Sequence, residues 1–176
     1  MVRAEVWLLA APLAAVGGWT DWRSRRIPNW LTVPGLAIGI AVNSWASGWP
    51  GLRASLLGAA MGLALLLPFV LVRSLGAGDW KLVGALGAFL GPDRLLASLF
   101  VAVLVAGIMA LVLVIWKRQL AHTLRNLGRI LKAFLTLRLP DPEFSLDNPK
   151  AIKVPFGVAM AMAVLLYSAS QVAGIS

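Results

Sequence analysis

The sequence contains no cysteine, which rules out disulfide bonds, thiolate chemistry and cysteine-ligated zinc. Its single histidine, His122, likewise rules out a histidine-rich metal centre. Charge is also scarce: 13% of the 176 residues are charged, against about 25% in an ordinary soluble domain. Only seven residues are acidic, so each acid has to be accounted for singly.

What is present is apolar. Hydrophobic residues make up 60% of the chain, with a mean hydropathy of +0.84, and they fall in long runs. Most of the chain therefore has lipid as its solvent. The net charge of +9 reads as orientation and contact with anionic lipid, because no nucleic-acid-binding signature accompanies it. No nucleic acid, metal or cofactor is expected. Glu5 interrupts the basic N-terminal region, and the Arg cluster follows the first apolar run instead of preceding it. The N-terminus thus reads as a retained membrane helix rather than a signal peptide.

The expected fold is all-α, a single membrane domain over 1–176 with about six transmembrane helices. The first apolar segment runs from about Ala4 to Thr20, the second begins near Leu31 and the third near Leu52. The fourth, KLVGALGAFLGP, is short unless it starts near Gly76; the fifth ends at Trp116 and the sixth spans about Val154 to Val172. In 117–152, Leu120, Leu124, Leu127, Leu131 and Phe134 share one helical face and Arg118, Arg125, Arg129 and Lys132 the other. That predicts a basic amphipathic helix in the membrane interface, followed by the polar loop PDPEFSLDNPK. Thirteen basic residues lie in alternate loops on one side, against Arg3, Arg53 and Arg94 on the other. The bias places both termini outside and the DWRSRRIPN and GAGDWK loops in the cytoplasm. Tryptophans, Trp80 among them, cluster near segment ends as an interfacial belt.

Acids inside membrane segments are costly and usually functional. Glu5 and Asp93 sit at outer segment ends and Asp141, Glu143 and Asp147 in the polar loop, which leaves Asp21 and Asp79. Both fall at helix boundaries on the same expected side. Two carboxylates held close resist double ionisation and can share a proton, so that one activates water while the other polarises a peptide carbonyl. This is the arrangement of an aspartic protease. The plainer alternatives stay open: Asp21 as a helix-end acid paired with Arg23, Arg25 or Arg26, and Asp79 as a helix N-cap. Gly76 and Gly78 fit either close approach of a substrate strand or helix packing. Pro28 and Asn29 shape the start of segment two, with Asn29 as its N-cap. Lys81 is read as a partner of the acids, of a substrate carboxylate, or as a snorkelling lysine. A small ion-coupled transporter or proton-relay protein using the same two aspartates is the alternative function.

GAGDWKL carries a G-x-G-D motif with a lysine two residues on, and DWRSRRIPNWLT an aspartate followed by basic residues and Ile-Pro-Asn. In these two stretches the chain resembles the prepilin peptidase family of membrane aspartic proteases, over nearly its whole length. The resemblance implies endoproteolysis of prepilins or prepilin-like proteins at the cytoplasmic face of a bacterial inner membrane, with Asp21 and Asp79 as the catalytic pair. KVPFGVAMA resembles the family's final-helix proline-glycine motif, with Pro155 and Gly157 as cleft residues. Bifunctional family members carry a cysteine-containing domain before the first aspartate and also N-methylate the product. About twenty residues precede Asp21 here, so the chain looks like the short peptidase-only branch serving tight-adherence pili, without methyltransferase activity.

Overall fold

In a computed structural model the protein is helical, and residues 8–118 and 154–172 are described here. They form α1 (Ala10–Ser24), α2 (Asn29–Leu71), α3 (Ala77–Trp116) and α4 (Phe156–Val172). The expectation of six separate helices is corrected to four among the described residues. The reason is local. Polar residues such as Asp93 and Arg94 mark boundaries in the sequence, but no loop separates segments two and three, or four and five. Each junction is a single glycine: Gly48 (φ 61°, ψ −141°) in α2 and Gly91 (φ 72°, ψ 176°) in α3. That backbone region is open essentially only to glycine. Proline follows within two residues of each, as Pro50 and Pro92, and stops the first arm from propagating. The amphipathic helix and polar loop expected over 117–152, with His122, lie almost wholly outside the described residues, as does the start of segment one.

At each glycine the helix doubles back. The Ser55 hydroxyl donates to the Gly39 carbonyl at 3.4 Å although the two are 16 residues apart. In a straight helix they would stand about 24 Å apart. Each long helix is therefore an antiparallel pair of arms, and the two pairs pack on one another. Where the 49–71 arm crosses the 77–90 arm, Gly58 and Gly87 bring their backbones together so closely that a Cβ on either would overlap the other's carbonyl. Small residues at a crossing are the usual means of association in lipid, where apolar surface gains little from leaving the solvent.

The breaks also orphan carbonyls, and side chains replace the lost donors. Pro92 has no N–H, so the Ala88 carbonyl four residues earlier loses its helical partner. Asn43 Nδ2 donates to that oxygen at 2.7 Å and to Phe89 O at 3.2 Å, and Ser55 Oγ reaches Ala88 O at 2.6 Å. Asn43 and Ser55 are fully buried. Unsatisfied polar groups in hydrocarbon cost several kcal/mol, on the order of 4–8 by transfer data, so this network anchors the α3 break.

Inside the bundle, Leu82, Val83, Leu86, Leu90, Leu95, Met160 and Val164 form the centre of the core. Large apolar side chains such as Phe100, Val103, Ile108, Leu111 and Ile115 point outward. A soluble protein would bury that surface; α2 and α3 are long and apolar enough to cross a membrane. Trp22, Trp30, Trp45, Trp49 and Trp116 are exposed near the ends of the arms. Trp80 departs from the expected belt. It is half-buried, and its indole N–H donates to the Leu63 carbonyl at 2.7 Å, tying the start of α3 to α2.

Candidate active site

Asp21 occupies the last turn of α1. The helix stops there because Arg25 takes a left-handed conformation (φ 53°) and returns its N–H to the Asp21 carbonyl at 2.9 Å. That cap turns the chain sharply inward, so that Ile27, 8% exposed, enters the core, and Pro28 (φ −76°, ψ 148°) starts α2. Proline shortly after a left-handed cap is a common helix stop. Asn29 does not cap α2 as expected. Pro28 holds that position, and the Asn29 Oδ1 instead accepts a hydrogen bond from Lys81 Nζ at 3.0 Å. Lys81 is thus engaged with the start of α2.

Asp79 is the third residue of α3, and the helix starts from Gly76, whose carbonyl accepts the Trp80 N–H at 3.2 Å. Asp79 is not the N-cap, and Gly76, which is, has no side chain to offer. Instead the Asp79 carboxylate turns back over Gly76, where an added Cβ would stand 2.9 Å from Oδ2. Acids at this third position commonly reach back to the first free amide of a helix. Asp79 Oδ1 is buried and finds no hydrogen-bond donor among the described residues.

Asp21 is held at the start of α4. Gly157 N–H donates to Asp21 Oδ2 at 2.9 Å, and Asp21 is 6% exposed. Asp79 is brought to the same end by the start of α3, where Gly78 packs against Ile27. Arg25 adds a positive charge beside Asp21. The amides of a first helical turn carry partial positive charge and have no helical acceptor, which suits them to carboxylates. Contact on both flanks depends on missing side chains. A Cβ on Gly157 would stand 2.9 Å from Asp21 Cβ and 3.0 Å from Ile27 Cδ1, and one on Gly78 would stand 3.1 Å from Ile27 Cβ. Ile27 is therefore the spacer between the two acid-bearing segments.

Of the residues singled out in the sequence, Asp21, Asp79, Gly76, Gly78 and Gly157 come together here. Pro155 is buried one residue before α4, with its carbonyl accepting the Ala159 N–H at 3.3 Å. Pro28, Asn29 and Lys81 stand at the margin. Sequence reasoning gave no role to Ile27, although an isoleucine placed between an Arg cluster and a proline was its signal.

Two acid-bearing segments packed about Ile27, one of them bonded to the first turn of α4, stand at one end of a helical membrane protein. Comparison with known proteins identifies the family. Residues 8–111 match the type IV leader peptidase family, and the chain belongs to that family. Asp21 and Asp79 lie inside the matched span, and Gly157 lies beyond it. The chain is 35% identical over 111 residues to proteins named prepilin leader peptidase/N-methyltransferase from two strains of Burkholderia pseudomallei, 1026b and K96243. The alignment covers 59% of this chain and 35% of each relative, so the chain spans about a third of the length of the curated relatives it matches. No solved structure matches it significantly.

Proposed function

We propose that the protein is a membrane aspartic endopeptidase that removes the basic leader from prepilins or prepilin-like proteins, with Asp21 and Asp79 as its catalytic pair. What supports this reading is that Asp21 is bonded to the Gly157 amide while Gly157 and Gly78, the neighbour of Asp79, both pack on Ile27, which brings to one end of the bundle two acids 58 residues apart in sequence (79 − 21). Family membership adds the reaction class.

In this mechanism Asp21, held by the Gly157 amide, is the ionised partner, and Asp79 carries the shared proton on its unpartnered Oδ1. A water between them gives a proton to Asp21 as its oxygen bonds to the scissile carbonyl carbon. Asp79 donates to the carbonyl oxygen as that oxygen gains charge. The tetrahedral intermediate then collapses: the C–N bond breaks, the leaving nitrogen takes the proton held by Asp21, and Asp79 recovers its own. No other nucleophile is required.

The substrate is a membrane protein whose hydrophobic helix lies in the bilayer, with the leader junction at the level of the acids. The thirteen-to-three distribution of basic residues supports an inner-membrane enzyme with this end in the cytoplasm. The N-methyltransferase half of the relatives' name is not carried over to this chain. The test is co-expression with a prepilin and N-terminal sequencing of the product. Asp21→Asn and Asp79→Asn should each abolish cleavage while the protein still inserts; processing that persists in either variant rejects the assignment.

A further inference from the structure

The end of the bundle opposite the aspartates holds a second group of charged residues. Arg53, Asp93, Arg94 and Tyr167 line a cavity of about 620 Å³ together with the exposed Leu57 and the buried Leu90. The volume lies within the roughly 300–1,000 Å³ of small-molecule sites. Its polarity is graded. Arg53 and Asp93 are exposed at the rim, whereas Leu90, 2% exposed, belongs to the core.

Two features favour an anionic, amphipathic occupant. Among the described residues that line the cavity, two carry guanidinium groups and one a carboxylate. Arg53 and Arg94 are also two of the three basic residues on this side of the chain, where the charge bias disfavours any.

We infer that this cavity binds a phosphate ester, with the headgroup of an anionic phospholipid at Arg53 and Arg94 and its glycerol-acyl portion along Leu57 and Leu90. The site is separate from the aspartates and stands whether or not they are catalytic.

Native mass spectrometry of the full chain in detergent tests this with three probes: phosphatidylglycerol, phosphatidylcholine and inorganic phosphate. Phosphatidylglycerol should bind one per protein and survive dilution that strips phosphatidylcholine. Arg53→Ala should weaken it by about tenfold or more, the range expected for one lost charge-assisted contact. Arg94→Ala should do the same, and the lysine variants should lie between, because lysine keeps the charge but loses the bidentate fork. Inorganic phosphate bound with the same arginine dependence would support the same chemistry with a free-phosphate source; lipid binding alone assigns the headgroup. Arg53 is exposed, so its alanine variant keeps the test available if Arg94→Ala fails to fold. Equal retention of the two lipids by the parent, or undiminished phosphatidylglycerol binding in Arg53→Ala, overturns the inference.

Discussion

Replacing Gly157 with alanine should cripple cleavage without unfolding the protein. The new Cβ would stand 2.9 Å from Asp21 Cβ and 3.0 Å from both Asp21 Oδ2 and Ile27 Cδ1. Ordinary carbon contacts lie at about 3.5–4.0 Å, so each approach is short by about half an ångström or more. Ile27 can swing its terminal methyl aside. Asp21 Cβ is fixed to the backbone of α1 and cannot. The first turn of α4 must therefore retreat, stretching the 2.9 Å bond from Gly157 N to Asp21 Oδ2. Overpacking of this kind costs about 1–3 kcal/mol, and misplacing a reacting group by about an ångström lowers rate by roughly a hundredfold. With purified protein and a peptide spanning a prepilin leader junction, kcat should fall by that order while KM changes little. Gly107→Ala is the matched control: among the described residues nothing lies within 4 Å of its Cβ, and alanine is the better helix former by about 1 kcal/mol. It should keep full activity. If Gly157→Ala also retains the parent kcat, the close approach does not position Asp21 and the reasoning fails.

Four further substitutions probe the scaffold. Gly91→Ala places a side chain at φ 72°, ψ 176°, a strain of about 1–3 kcal/mol, and should lower the unfolding midpoint in a denaturing-detergent titration; an unchanged midpoint would mean that the break is not fixed. Asn43→Leu leaves Phe89 O without its side-chain donor and Ala88 O with Ser55 alone, so a loss of about 1–3 kcal/mol is expected in the same titration. Ser55→Ala should cost less, because Asn43 still serves Ala88 O. Trp80→Phe keeps the ring but removes the donor to Leu63 O, for a loss of about 0.5–1.5 kcal/mol; no measurable change would show that the indole N–H is dispensable.

The acids were legible in the sequence for a physical reason. Seven carboxylates in so apolar a chain leave few roles, and subtracting those at outer ends and in the polar loop isolates Asp21 and Asp79. The glycines beside them were legible as a pattern but not as contacts, since Gly78 against Ile27 and Gly157 against Asp21 join segments that spacing cannot relate. Asn43 was overlooked, although an asparagine deep in an apolar run must find a partner; that the partners are carbonyls 45 and 46 residues away follows only from the fold. The capping role expected of Asn29 failed because Pro28, with no N–H and an extended backbone, suits the position just before the helix. The helix count failed because a single glycine, not a loop, turns each long helix, so segments that hydropathy separates belong to one helix.

That reversal is also what makes a two-acid site attainable. Asp21 and Asp79 are separated by one long helix, α2, and an unbroken helix of that length would put them at opposite ends of the molecule. Gly48 divides α2 into arms 29–47 and 49–71, of 19 and 23 residues, so the return arm overshoots its origin by about one turn. The chain then ends α2 with Arg73 left-handed (φ 55°) and with the Ser74 and Leu75 amides both donating to Phe69 O, which turns it back toward the bundle before Gly76. The overshoot is absorbed there, and Asp79 arrives at the level of Ile27, where Gly78 can make its contact. The approach of the two acid-bearing segments is thus set by a glycine at the far end of the bundle together with the unequal lengths of two arms. A one-turn deletion within 49–71 should separate the carboxylates as surely as replacing one of them, while leaving the motifs around both unchanged.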